Sequence, residues 1–492
     1  MNQLIRVSLF FCLFVLATAI SSRAQDPDSI TKADVSGARL RSTHVMPSGK
    51  NPKLLMQIGK HQNTGTPSSA SATTTGIPGI DSLVNFSGDF FTPGFDPNGN
   101  PQNHWFFNTV GNRPELGGTT TLDAPVVPVF LDLRDVNGMP RFVRVNSGSK
   151  GRAVTCGVGE TDFAKNCHRL LFDPTPFIQP VLDSPVYSNF TYTSSDIPTQ
   201  FADAVARAEY QIAAPDWHTL LAPSVKNSQT MVINQDPRCG ARGAAGHCNY
   251  LFALNPDGSC CFFVLIDANV FSAKLAPSTF AFPPPSTTPV GAAEAAGDIK
   301  TPDVSNFFFP PAFLFVPTPQ GTLCCIGGFH SIDAKPGDAT NGNLLRIFVF
   351  SFTTWDPPIF LDPNVQDVTG LSHEVSEIYN DPFVAAFQLN PTDPTTTVDI
   401  TPWWFAPNGL CQDNLEVGDV IENTPNEISQ ITMPNGFTYH PQNEALLQWF
   451  EFQSPSTALG GVLSYPDIND PHPELGPALT ALSAPQKAGC AP

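Results

Sequence analysis

The chain has 492 residues, a formal net charge of −19 and only 25 lysines and arginines. Nucleic acid is not expected as a partner, because phosphate backbones demand clustered basic side chains and the sequence holds no such cluster. The length is ample for a large core, while 50 prolines beside 38 phenylalanines favour short strands and long loops over long helices.

At the N-terminus, Met1 to Arg6 carries one positive side chain, and an almost unbroken apolar run follows from Val7 to Ile20. Ser22 and Ala24 are small residues placed for a cut after Ala24. This is the three-part pattern of a secretory signal peptide over residues 1–24. The run is shorter than the about 20 residues that a membrane-spanning helix needs. No later segment is long and apolar enough either, so no membrane span is expected after signal removal. The expected location is the periplasm or the medium.

Residues 25–79 are rich in Ser, Thr, Gly, Pro, Lys and Gln, and Thr64 to Gly76 is almost wholly small and polar. Such a stretch cannot bury enough apolar surface to offset its ordering entropy, so a flexible low-complexity leader is expected. Residues 80–492 then form a single large globular domain. Within it, apolar and β-branched runs predict strands at 124–133, 230–234, 261–266, 312–317 and 345–352. Continuous runs of this kind suit strands covered on both faces. Helices are predicted at 199–213 and 368–380, with a shorter one at 443–450. In the first, Phe201, Val205, Ala208 and Ile212 share a stripe; in the second, Leu371, Val375, Ile378 and Tyr379 do. The expected fold is α/β or α+β with β excess: a central sheet of buried strands, a few packed helices and long Pro-rich loops.

There are 11 cysteines. Setting Cys12 aside leaves an even number in an exported chain, which favours disulfides. Cys156 with Cys167 and Cys239 with Cys248 have spacings that suit local bridges. The adjacent pairs Cys260-Cys261 and Cys324-Cys325 are expected to reach across to other strands, and Cys411 and Cys490 remain. No zinc-finger spacing occurs.

One segment has the grammar of chemistry: Leu371-Ser372-His373-Glu374-Val375-Ser376-Glu377, followed by Asp381-Pro382. Residues four apart share a helix face, so His373 and Glu377 can reach one cation. Glu374 stands one residue on, where a general base belongs. The pattern resembles the His-Glu-x-x-His helix of zinc peptidases, with Glu377 in place of the second histidine. Carboxylate remains an acceptable zinc ligand, although it makes a coordinated water less acidic. The alternative is a solvated helix face. Downstream, Glu416 or Asp419 can supply a third ligand, or cap turns. His330 can approach as an accessory donor, or hydrogen-bond within its own loop. Asp381 can orient His373, or end the helix before Pro382. Tyr379, Trp403 and Trp404 line a cleft or pack in the core.

The order Cys325…Gly328-Phe329-His330, Ser372-His373-Glu374-x-x-Glu377…Asp381-Pro382 and Glu416-Val417-Gly418-Asp419 resembles a group of uncharacterised secreted bacterial proteins distantly similar to plant phosphate-induced (exordium-like) proteins. In that group a Glu-x-Gly-Asp element is followed by a cysteine; here Cys411 precedes it. The resemblance and the helix together imply a zincin-like scaffold. Two readings follow. One is a secreted metal-dependent, peptidase-like hydrolase that binds Zn²⁺ and acts on an extracellular peptide or polymer. The other is a non-catalytic envelope or extracellular binding protein on a degenerate scaffold. Convergence of the ligands beside an open cleft would favour the first.

Overall fold

The computed structural model describes residues 28–29, 80–93, 102–145, 153–157, 167–192, 198–210, 215–240, 247–255, 259–276, 287–318, 321–358, 364–384, 388–390, 393–398, 404–405, 411–412, 415–422, 427–447 and 464–465. The signal segment 1–24, most of 25–79, Trp403 and Cys490 lie outside them.

The main strands are, in chain order, β1 (Ile80–Asp81), β2 (Thr119–Arg134), β3 (Leu171–Phe172), β4 (His218–Val225), β5 (Gln229–Asn234), β6 (Tyr250–Ala253), β7 (Phe263–Asp267), β8 (Val304–Phe309), β9 (Ala312–Thr318), β10 (Gly321–Ile326), β11 (Gly328–Lys335) and β12 (Leu345–Thr354). All five predicted runs are strands. An eight-stranded mixed sheet is built on the long β2. Its first half pairs in parallel with β4, its second half in parallel with β5, and its middle with β8. β12 lies parallel to β8, and β11 pairs antiparallel with β12, from Gly328 opposite Thr353 to Lys335 opposite Arg346. A second, four-stranded sheet runs β6-β7-β9-β10.

Side chains alternate across the large sheet with the period-2 rule of a strand. Ala124, Val126, Phe308, Ile347 and Val349 enter one core; Val127, Val129, Phe307, Phe309, Phe350 and Phe352 enter the other. Both faces are therefore covered, which explains the unbroken apolar runs. The phenylalanine excess is concentrated on the second face. There the Phe352 ring lies 4.5 Å from Phe271, 5.1 Å from Phe309 and 5.4 Å from Phe329, centroid to centroid.

The helices are α1 (Thr175–Leu182), α2 (Phe201–Glu209), α3 (Ala268–Leu275), α4 (Pro289–Ala296) and α5 (Thr369–Asn380). Two of the three predicted helices appear as α2 and α5. The third is met only in part: Glu444–Ala445, inside 443–450, is a strand paired with Ser464–Tyr465, Leu447 is helical, and 448–450 lie outside the described residues. α1, α3 and α4 were not anticipated, because each is short and rich in small or apolar residues without a clean stripe. α5 packs on β11, β12 and α2. Leu371, Val375, Ile378 and Tyr379 fill the first core, and the Tyr379 hydroxyl donates to the Thr219 carbonyl at 2.9 Å. Asp356, at the end of β12, accepts from the Gly370 amide at 3.0 Å and so serves the first turn.

Cys156–Cys167 and Cys239–Cys248 are disulfides, as their spacings suggest. The adjacent cysteines do not reach across strands: Cys260 bonds to Cys261, and Cys324 to Cys325. Asp28 and Ser29 also depart from expectation. They belong to the segment read as a flexible leader, yet both are buried. Asp28 pairs with Arg141 and accepts from Gln235; Ser29 forms a parallel bridge with Phe252 and accepts from the Ala153 amide at 2.6 Å.

No described helix is long and apolar enough to cross a membrane.

Candidate metal centre

All twelve residues of α5 are buried, so its polar stripe is not a solvated face. One stripe feeds the core; the opposite one carries His373, Glu374 and Glu377 toward β11 and toward two later segments, 415–422 and 427–447. On β11, Ile332 and Ala334 share the α5 side while Phe329 faces the other core. Alternation then places His330 on the α5 side too. The structure therefore brings together every ligand, base and accessory candidate named from the sequence: His330, His373, Glu374, Glu377, Asp381, Glu416 and Asp419; Tyr379 packs in the core. Their donor atoms form overlapping groups, each within 4.8 Å: His330, Glu374 and Glu377; His330, Asp381 and Glu416; His373, Asp419 and Glu422; Glu377, Glu416 and Asp419.

The two imidazoles are held alike. Gln442 donates through Nε2 to the Gly418 carbonyl at 2.6 Å, which turns its own carbonyl oxygen to His373 Nδ1 at 3.0 Å. His373 must therefore donate from Nδ1, and Nε2 is left facing inward. That atom is buried and makes no well-formed hydrogen bond. Glu377 Oε1 stands 3.1 Å away and Asp419 Oδ1 3.4 Å. His330 donates from Nε2 to the Asp381 carbonyl at 3.1 Å, and turns Nδ1 to Glu374 Oε2 at 3.3 Å. A carbonyl behind the imidazole and carboxylates before it is the usual setting of a metal-bound histidine. Asp381 ends α5, its amide donating to the Glu377 carbonyl, which is the second of the two roles expected for it, and its own carbonyl accepts from His330.

Two glycines make room. A Cβ on Gly418 would lie 2.5 Å from His373 Nδ1, and one on Gly328 would lie 2.5 Å from Glu374 Oε1. The Gly418 and Asp419 amides also donate to Glu377 Oε1, at 3.2 and 3.3 Å.

Charge is the outstanding problem of the cluster. Burial pushes Glu416 well up, and the nearby Glu377, Asp419 and Asp381 carboxylates add to it. Burial likewise raises Glu374 to about 7, against the pull of His330 and His373. Burial opposes a charge on His330, but Glu374, Glu377 and Asp381 outweigh it and lift the imidazole to about 9. Glu444, wholly buried, has no hydrogen-bond partner on either carboxylate oxygen, and burial raises it well above the usual range. Buried carboxylates without donors are costly unless a cation or protons neutralise them. The donor set, two inward imidazole nitrogens among several carboxylates, fits a divalent cation such as Zn²⁺.

Sequence reasoning missed Glu422, Gln442 and Glu444. Gln442 and Glu444 are two apart, the spacing that puts residues of an extended segment on one face; the helical reading of 443–450 covered Glu444, and Gln442 just before it was not singled out. Replacing Gln442 with Leu should leave the fold intact by circular dichroism and weaken Zn²⁺ binding by roughly 10–100-fold in a titration. Unchanged affinity would show that His373 needs no support from behind.

The convergence is complete, but the setting is not an open cleft: His373, Glu374 and Glu377 are each only 2% exposed and His330 5%. No family model, curated protein or solved structure matches the chain.

Proposed function

We propose that this chain is an exported, cation-dependent hydrolase of the peptidase type, on a zincin-like scaffold, acting on an extracellular peptide or polymer. The observation that supports it best is the pair of buried imidazoles, each backed by a carbonyl and aimed at carboxylates. His373, Glu377 and Asp419 would hold Zn²⁺, with Glu416 beside them. A bound cation supplies Lewis acidity, which polarises a scissile carbonyl and eases the deprotonation of water. Glu374 is the proton acceptor: its Oε1 lies 4.0 Å from His373 Nε2 and its Oε2 is steadied by His330. Gln442 keeps His373 in one tautomer, and the Gly418 and Asp419 amides keep Glu377 in place. The likeness to exordium-related secreted proteins agrees with export but brings no activity with it.

A second reading is favoured by the burial of every donor: a structural cation in a non-catalytic extracellular binding protein. Elemental analysis of the purified chain, alongside hydrolysis of unfolded casein, separates the two. Zinc that is lost in His373→Ala, with hydrolysis lost in Glu374→Gln while zinc is retained, supports the hydrolase. Zinc without any hydrolysis by the wild type supports the structural role. Equal zinc in wild type and His373→Ala, or none in either, ends both.

A further inference from the structure

The two imidazoles do not share a position. Among the described residues, no group of mutually close donors contains both His330 and His373. His330 gathers Glu374 on one side and Asp381 with Glu416 on another, whereas His373 gathers Asp419 and Glu422. Glu377 stands between them, with Oε1 3.1 Å from His373 Nε2 and Oε2 3.7 Å from His330 Nδ1.

We propose that the centre holds two divalent cations bridged by the Glu377 carboxylate, one on the His330 side and one on the His373 side. This rests on the cation-dependent reading above and deepens it. The first support is directional: each imidazole is fixed from behind, so each offers a single nitrogen, and the two nitrogens address different oxygens of Glu377. The second is the supply of donors. Besides the shared Glu377, the His330 side offers Glu374, with Asp381 and Glu416 in a neighbouring group on the same histidine, and the His373 side offers Asp419 and Glu422; water would complete a four- to six-coordinate ion. A single ion on the His373 side would leave the buried carboxylates on the His330 side with no metal ion, only the His330 imidazole, to meet them. The third is the side chain with nothing to meet: Glu444 is fully buried and neither of its oxygens has a donor. One divalent ion does not balance so many buried acids.

An imidazole on each side favours zinc or manganese over calcium or magnesium, which take oxygen donors. In bridged pairs the ions stand about 3.5–4 Å apart, and in peptide hydrolysis such a pair would ease deprotonation of the attacking water and polarise the scissile carbonyl oxygen, while the amine leaves with a proton. Glu374 then has two duties. Its Oε2 faces the His330 side as a ligand, and its Oε1 remains turned toward His373 to accept a proton.

The test is to load the full-length mature chain with Mn²⁺, count bound manganese per chain, and record the electron paramagnetic resonance spectrum. The expected result is two equivalents with an exchange-coupled spectrum. His330→Ala and His373→Ala should each keep about one equivalent, with the spectrum of an isolated ion. A single equivalent in the wild type, kept by His330→Ala and lost by His373→Ala, would overturn the pair and leave the single-cation reading standing. No bound manganese or zinc in the wild type would remove both. If circular dichroism shows that a variant has not folded, the wild-type count and spectrum decide alone.

Discussion

Removing divalent cations with a chelator should lower the thermal midpoint of this protein by roughly 10 °C, and returning Zn²⁺ should restore it. The reasoning is linkage. A cation that binds only the folded chain stabilises it by about 4 kcal/mol when its free concentration is 1,000 times its dissociation constant. For a large domain each kcal/mol moves the midpoint by roughly 2–4 °C. The folded chain has reason to bind tightly, because Glu377, Glu416, Asp419, Glu422 and Glu444 are all buried close to one another. Without a cation, protons must do the neutralising. His330, raised to about 9, and Glu374, raised to about 7, both hold protons in the folded state that the unfolded chain has already released. Their contribution is therefore full at low pH and fades as pH rises through those values. Cations compete with the same protons, so they bind better as pH rises. The gap between loaded and stripped protein should widen from pH 6 to pH 8, as scanning calorimetry would show. A midpoint indifferent to chelator at both pH values would count against any bound ion.

The second large effect is at the opposite end of the chain. Asp28→Ala should cost about 3–5 kcal/mol in equilibrium denaturation, the usual penalty for taking one partner from a buried ion pair. Asp28 is 1% exposed and Arg141 7%. The carboxylate accepts from both guanidinium Nη atoms, one at 2.6 Å, and from Gln235 Nε2 at 2.5 Å. Removing it leaves the guanidinium in the interior without its counter-charge. Replacing both partners, Asp28→Leu with Arg141→Met, should cost clearly less than Asp28→Ala alone, because no charge is then stranded. If the single replacement costs under about 1 kcal/mol, Asp28 is peripheral and the segment behaves as the loose leader its composition suggests.

Much of the sheet was legible because its strands are covered on both sides. A run such as Val126-Val127-Pro128-Val129 needs no alternation to declare itself when both faces meet a core. α5 was legible from its apolar stripe, and His373, Glu374 and Glu377 from the four-residue spacing on its other side. The rest of the site depends on pairings that local patterns do not encode. His330 reaches α5 only because β11 pairs antiparallel with β12 in a register that turns even-numbered residues that way. Glu444 was lost when its stretch was read as helix, whereas Glu444–Ala445 pair as strand with Ser464–Tyr465; Gln442, just before that stretch, reaches the site through a bridge to Ile428 that no local pattern announces. The adjacent cysteines misled because spacing alone does not reveal which sulfur lies nearer. Asp28 was lost because composition averages over a segment, while a single buried ion pair anchors it.

The covalent bridges have a consequence for how this molecule is assembled. Among the described residues there are four, and none joins residues more than 11 positions apart, so each of these can close as soon as its own short stretch of chain has emerged. These four tie nothing distant together. The knot between β11, α5 and the segments around 416–422 and 444 is ionic and must wait for the last quarter of the polypeptide. If the cations proposed above are bound, maturation has two clocks: an early one set by oxidation, and a late one set by the supply of metal.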